Sequence, residues 1–494
     1  MWPCDAPLHP SRCLPNSPPI LMKLDRLHLR QILFLLSACF LYSPSLAKDN
    51  VTADRVTNDR VIEGLVSPKP FFQLQDGDTV VFLGDSITHQ SLYTQYIEDF
   101  FYTRYPDRRI RFHNAGVSGD KAADALTRFE DDVAALEPDF VTILLGMNDG
   151  QYEPFSAETF AIYSSGMQKI VTKVKGTGAE AIALSPTMFD HHQLALRKED
   201  ETFRFRDRSF DPGYNSLMAY YGAWLREEAG AQHLPFVNLW GPLNDFTFSA
   251  RRAQPNFTLV EDAIHPGAAG HQVMAFSILS SSQQERRHVS SVIIQQRKGK
   301  WIAGKNETVT DLEVSESGDA LSFTFLARSL PWVLPERSSQ YDLKWGPSAP
   351  ASLGSKLTKA GHKLSAERLK INGLPAGTYE LKIDETVVGT FSHLQLEAKI
   401  ELQNYLETPQ SQQALEVALL NRRRNDEAIR PLRDQWAKVK GLRRKGDSEL
   451  FAEKYTELKA EIDALREKAN AFEEQIYTTA QPVPRRYQLT KVDS

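Results

Sequence analysis

The stretch TVVFLGDSITHQSLYTQYIEDFFYTR, residues 79–104, contains the change of rhythm that decides the fold. Residues 79–83 are an unbroken β-branched and apolar run, as expected of a strand covered on both faces. Gly84-Asp85-Ser86 interrupts it, and Tyr93, Tyr96, Ile97, Phe100 and Phe101 then recur at steps of three and four along one helical face. A buried strand that passes through a glycine turn straight into a helix is the first half of a βαβ unit. Gly84 suits the tight turn. Ser86 falls at the helix's amino end, where free amides and the dipole favour an anion forming beside its hydroxyl. An Asp-Ser pair here is equally an N-cap, so the motif alone does not specify catalysis.

Working outward, the alternation continues to about residue 285. Strands are expected at 109–113, 140–145, 179–184 and 236–240. Between them, Leu126, Phe129, Val133 and Leu136 mark one helix, and further helices span 156–175 and 214–228, with Gly176 and Gly230 as C-caps. Five such strands predict an α/β domain over 70–285, a flavodoxin-like doubly wound parallel sheet that binds ligands beyond its strands' carboxyl ends.

After residue 288 short alternating runs take over, such as 321–325 and 379–383, the second forming a hairpin with 387–391 across Asp384-Glu385-Thr386. They predict a small β-sandwich-like module over 288–400. Residues 405–480 are helical and charged. Phe451, Tyr455, Leu458, Ile462, Leu465, Ala469, Phe472 and Ile476 form an a/d seam, and Ile429, Leu432, Trp436 and Val439 a shorter one that Pro431 should kink. With a turn at Lys445-Gly446-Asp447-Ser448, this predicts an antiparallel helical hairpin or coiled coil offering a surface for self-association or a protein partner. The intervening β-module suggests that this arm stands apart from the catalytic sheet and is dispensable for chemistry.

A chain of 494 residues is too long for one core and fits two to three domains. The net charge of −5, with basic residues spread evenly, argues against nucleic acid as partner. No apolar stretch reaches membrane-spanning length in the mature chain. Residues 1–47 read as an N-terminal extension and signal peptide: Lys23, Arg26 and Arg30 form a basic region, 32–42 an apolar one, and Ser45-Leu46-Ala47 a cleavage site. The protein is therefore expected to be exported to the periplasm, cell surface or medium. Leu36-Ser37-Ala38-Cys39 resembles a lipobox, but Phe40 and Leu41 after it favour ordinary cleavage over a lipid anchor at Cys39. The three cysteines, Cys4, Cys13 and Cys39, all leave with the signal, so the mature chain has no disulfide and no thiol nucleophile.

Three further motifs follow expected strands. Asn114-Ala115-Gly116-Val117-Ser118-Gly119-Asp120 and Gly146-Met147-Asn148-Asp149 combine glycines, which let amides approach a ligand, with an asparagine donor suited to an oxyanion. Asp262-Ala263-Ile264-His265 puts a carboxylate and an imidazole within one turn, the orientation a general base needs. Each could be turn chemistry alone. Together, in this order, they resemble the four blocks of the SGNH (GDSL-like) hydrolase family over roughly residues 76–285, whereas the G-x-S-x-G elbow of α/β-hydrolases is absent. The resemblance implies Ser86 as nucleophile, His265 as general base and Asp262 as its orienting acid. It implies an oxyanion hole of Ser86, Gly119 and Asn148, with Gly116 the alternative to Gly119, and no cofactor.

Asp190-His191-His192 could approach a metal, but no third ligand is recognisable, so none is expected. His89 could touch substrate or merely pack. Arg197, Lys198, Arg204, Arg206 and Arg208 form a polar rim in which Phe203, Phe205 and Phe210 are scattered among charges. That rim, with export, points to a secreted serine esterase that deacetylates carbohydrate. The alternatives are a lysophospholipase or thioesterase of the same family, or an envelope scaffold with a vestigial site.

Overall fold

The structure, a computed structural model, describes residues 69–286, 288–304, 308–335 and 348–492. The signal expected over 1–47, with its three cysteines, lies outside the described residues. Five strands, β1 (Thr79–Gly84), β2 (Arg111–Gly116), β3 (Phe140–Leu144), β4 (Glu180–Leu184) and β5 (Phe236–Val237), form an all-parallel sheet in the order β2-β1-β3-β4-β5. This is the flavodoxin-like order, with its switch point at β1 and β3. Alternate side chains of β1 feed two cores. Val80 and Phe82 pack with Ile97, Phe100 and Val273, while Val81 and Leu83 pack with Phe129, Ile170 and Leu225.

The helices are α1 (Ser86–His89), α2 (Leu92–Arg104), α3 (Ala122–Asp132), α4 (Ala157–Gly176), α5 (His191–Arg197), α6 (Tyr214–Ala231), α7 (Trp240–Arg251) and α8 (Ala268–Ser281). Several details correct the expectation. Gly176 and Gly230 lie inside α4 and α6, and the left-handed residues after these helices are Gly178 (φ 89°) and His233 (φ 56°). The strand expected over 236–240 stops at Val237. There the Ser185 hydroxyl takes the amides of Leu239 and Trp240, at 2.8 and 3.1 Å, and Trp240 begins α7.

The β-module has two sheets. One holds β6 (His288–Arg297), β7 (Lys300–Ala303), β10 (Ala366–Asn372) and β13 (Ile400–Glu401); α9 (Ala351–Thr358) and α10 (Ala360–Leu364) precede β10, and α9 packs on α8. The other is ordered β12-β11-β14-β9-β8, from β8 (Val309–Val314), β9 (Ala320–Phe325), β11 (Thr378–Ile383), β12 (Thr386–Ser392) and β14 (Arg485–Val492); α11 (His393–Ala398) links β12 to β13. Val292, Ile294, Leu369 and Ile371 from the first meet Phe323, Tyr379, Leu381, Tyr487 and Leu489 from the second. The hairpin turn is Asp384-Glu385, with Ile383 already paired to Thr386. The module does not end near residue 400, because β14 returns from beyond the arm to pair with both β9 and β11.

Beneath this module the Glu367 carboxyl is almost fully buried. Burial pushes it up to about 7, against the Gln410 amide that donates to it at 2.7 Å. The ordinary value near 4.5 holds in the unfolded chain, so the folded state binds this proton more tightly. The stability it contributes is full below pH 4.5 and is lost as pH rises through about 7. Glu367→Gln should therefore shrink the fall in unfolding free energy between pH 5 and 8 by about 2–3 kcal/mol. Urea titrations at the two pH values check this, and an unchanged fall would refute the burial effect.

The arm comprises α12 (Pro409–Arg424), a π-helical turn (Asn425–Ile429), α13 (Arg430–Lys445) and α14 (Ser448–Thr479), which folds back antiparallel after Gly446-Asp447. The wide turn lies just before Pro431, whose ring can neither donate to nor fit against the preceding turn. Ile462 of α14 is buried with Leu432, Trp436 and Val439 of α13, and Val117 from the end of β2 enters the same cluster. The arm is not set apart from the catalytic sheet. Arg424 donates to the Phe112 carbonyl at 2.7 Å, Asn421 to Asp99 at 2.8 Å, and Tyr477 to the Ile110 carbonyl at 2.8 Å.

Candidate active site

Gly84 ends β1 where a Cβ would stand 2.1 Å from the Thr88 hydroxyl and 2.9 Å from the Leu144 carbonyl, so only glycine permits this turn. Asp85 caps α1 by accepting the Ile87 amide at 2.9 Å, leaving Ser86 as the first helical residue. The Ser86 hydroxyl lies 2.8 Å from His265 Nε2, and His265 Nδ1 lies 2.8 Å from Asp262 Oδ2. The other Asp262 oxygen accepts the Ile264 and His265 amides at 3.0 and 2.7 Å. Burial pushes the Asp262 carboxyl up, but the charge and hydrogen bonds of His265 and these amides outweigh it and hold it below its ordinary value. An anionic Asp262 places the imidazole proton on Nδ1 and leaves Nε2 to accept from Ser86. Ala263 sustains the turn at φ 75°, a strained conformation for a non-glycine residue.

Asn148 follows β3. Its amide donates to the Asp120 carbonyl at 3.1 Å and to Asp85 Oδ2 at 3.3 Å, while the Tyr152 hydroxyl donates to its oxygen at 3.1 Å. Burial keeps the Tyr152 phenol far above its ordinary value, so it remains a donor and fixes which way the amide faces. Burial also pushes Asp85 up to about 7, with Asp149 and Asp120 adding to the rise and the Ile87 amide opposing it.

Gly119 sits at φ 71° in a turn closed by the Asp120 amide on the Val117 carbonyl at 3.1 Å. Among the described residues, no acceptor takes its N–H. Gly116 ends β2 against α1, too crowded for a Cβ, and its N–H donates to Asn114 Oδ1 at 2.9 Å.

The structure brings Ser86, Asp262, His265, Asn148 and the Gly119 loop together at the carboxyl ends of β1, β2 and β3. It does not bring the other candidates to a shared centre. Asp190 caps α5 and is held by Arg251 and by Thr258 at 2.6 Å, while His191 and His192 are exposed. Among the described residues, no cluster of His, Cys, Asp or Glu could hold a metal ion. His89 is buried between Ser118 and Asp434.

The phenylalanines of the rim are not scattered. Phe203 and Phe210 are buried, and Phe210 joins Tyr152 and Phe189 at ring separations of 5.1 and 5.7 Å. Arg204 covers Phe205, and Arg208 covers Tyr152 at 4.6 Å. Sequence reasoning missed Tyr152, because neither it nor Gln151, both left-handed at φ 65° and 59°, is a residue type that signals such a turn.

Residues 82–273 match the GDSL-like lipase/acylhydrolase family. That stretch is a GDSL-like, or SGNH, hydrolase domain, and the match supports carboxylic ester hydrolase activity. An acetylxylan esterase from Geobacillus stearothermophilus is 26% identical over 228 residues, spanning 42% of this chain and 94% of its own. The solved structure of a gut microbial diltiazem-metabolizing enzyme aligns with a TM-score of 0.74 at 25% identity, covering 86% of this chain and 100% of that one. So long an alignment extends past the hydrolase domain into the β-module and arm.

Proposed function

We propose that this protein is an exported serine esterase that removes short acyl groups, acetyl foremost, from carbohydrate. Ser86 Oγ attacks the ester carbonyl as His265 Nε2 takes its proton. The Ser86 and Gly119 amides and the Asn148 side chain hold the oxyanion, for which Asn148 gives up its longer bond to Asp85. The tetrahedral intermediate collapses, the alcohol leaves with the proton from His265, and water then cleaves the acyl-serine through the same base. The observation that carries this reading is the unbroken relay from Asp262 through His265 to Ser86, with both links at 2.8 Å. Export belongs to the same reading and rests on the basic and apolar regions before Ala47. A mature chain beginning at Lys48 would support it, and an uncleaved one would count against it.

The acetylxylan esterase relative supports carbohydrate as the acyl carrier. The rim supports a short acyl group. Its aromatic rings are consumed by packing on one another and covered by guanidinium groups, so this loop offers no apolar channel. Each methylene of a longer chain contributes about 0.8 kcal/mol only where such a channel exists. On p-nitrophenyl esters, kcat/KM should therefore peak at acetyl and fall beyond butyryl. Acetylated xylan should release acetate in the same assay. An octanoyl preference of about tenfold, near 1.4 kcal/mol, would favour a lipid or thioester substrate instead.

A further inference from the structure

We propose that Lys440, on the helical arm, is a positioning residue for the oxyanion hole, so that arm and sheet make one catalytic unit. The inference rests on the oxyanion roles given above to Gly119 and Asn148.

The Ser118 carbonyl and the Gly119 N–H belong to a single planar peptide and point in opposite directions. Lys440 Nζ donates to that carbonyl at 3.0 Å. Whatever fixes the oxygen aims the N–H. A left-handed glycine beside this peptide gives its plane unusual freedom to rotate, so the brace matters here more than in a strand. A cation on the carbonyl also polarises the amide and strengthens its N–H as a donor.

Lys440 is itself fixed, at 2.7 Å from Asp120 Oδ1, while Arg128 holds the other Asp120 oxygen at 2.8 Å. The Asp120 carbonyl in turn accepts from Asn148, so the two oxyanion donors are joined through one residue.

A second contact from α13 reaches the preceding peptide. The Ser118 N–H donates to His89 Nδ1 at 3.3 Å, and His89 Nε2 faces Asp434 at 3.3 Å. A third comes from Arg433, which donates to the Gly116 carbonyl at 2.9 Å. One helix thus braces the loop at three points, from more than 300 positions along the chain.

The test is kcat per active site, with sites counted by saturating fluorophosphonate so that misfolded protein drops out. Lys440→Met should lower kcat per titrated site about 10- to 100-fold on p-nitrophenyl acetate, with KM changed less than about twofold. Lys440→Arg should recover most of the loss. Asp434→Asn, at a half-exposed position that costs little folding, should lower kcat by about 3- to 10-fold. If Lys440→Met does not fold, this variant decides. Normal kcat per titrated site in the variants that fold would make the arm a structural brace only and overturn the proposal. An active Ser86→Ala enzyme would remove the serine reading and the proposal with it. An inactive Ser86→Ala beside a normal Lys440→Met would remove the proposal alone.

Discussion

Ser86→Ala should lower kcat by about 10⁴-fold or more while leaving the fold and the thermal midpoint close to those of the parent. Removing the hydroxyl takes away the group that lies 2.8 Å from His265 Nε2 and is placed to attack a carbonyl. What remains is an oxyanion hole and a base acting on water, which retains a small residual acceleration and no acyl-enzyme. Two readouts should move together: ester turnover, and covalent labelling by a fluorophosphonate. A variant that kept more than about 1% of parent turnover would exclude Ser86 as the nucleophile. The change removes one small buried oxygen at a helix start whose cap, Asp85, stays in place, so lost activity with an unchanged midpoint would be chemical in origin.

Asn148→Ala should lower kcat by about 10²- to 10³-fold with KM nearly unchanged, because a donor to an oxyanion acts chiefly in the transition state. The structure adds a refinement. Asn148 also ties down the Asp120 carbonyl and accepts from Tyr152. Its removal therefore loosens the Gly119 loop, and the loss should fall at the upper end of that range. An effect on KM alone would make Asn148 a substrate-binding residue.

Much of the site was legible because its parts are punctuation. Ser86, Gly119 and Asn148 each follow an apolar run that reads plainly as a strand, whereas the Asp262–His265 pair lies in the loop after α7 and was legible from its spacing alone. Such polar breaks at strand ends mark the sheet's functional edge. The arm's role was illegible for a definite reason. Arg424, Arg430 and Arg433 look like the solvated face of a charged helix, yet all three are buried against carbonyls and carboxylates of the hydrolase domain. Heptad spacing reports the seam between α13 and α14 and says nothing of the other face. The rim failed similarly, because phenylalanines among arginines look dispersed until the loop folds and stacks them. β14 was missed because Tyr487 and Leu489 give only two inward residues, too few to signal a strand whose partners lie far back in the chain.

That strand imposes an order of events on synthesis. Ser322 of β9 and Arg486 of β14 are hydrogen-bonded neighbours separated by 164 positions. At about 5–20 residues per second, a ribosome needs on the order of 10–30 s to cover that distance. Throughout that interval β9 lacks the strand that lies beside it, and β11 lacks it from the moment it is made, so each presents an open backbone edge to whatever extended chain is nearby. The five-stranded hydrolase sheet uses nothing beyond Val237 for its strands and is free to assemble during the wait. The β-module is therefore completed only when its last strand has been made, and crowded expression should burden it before the hydrolase sheet.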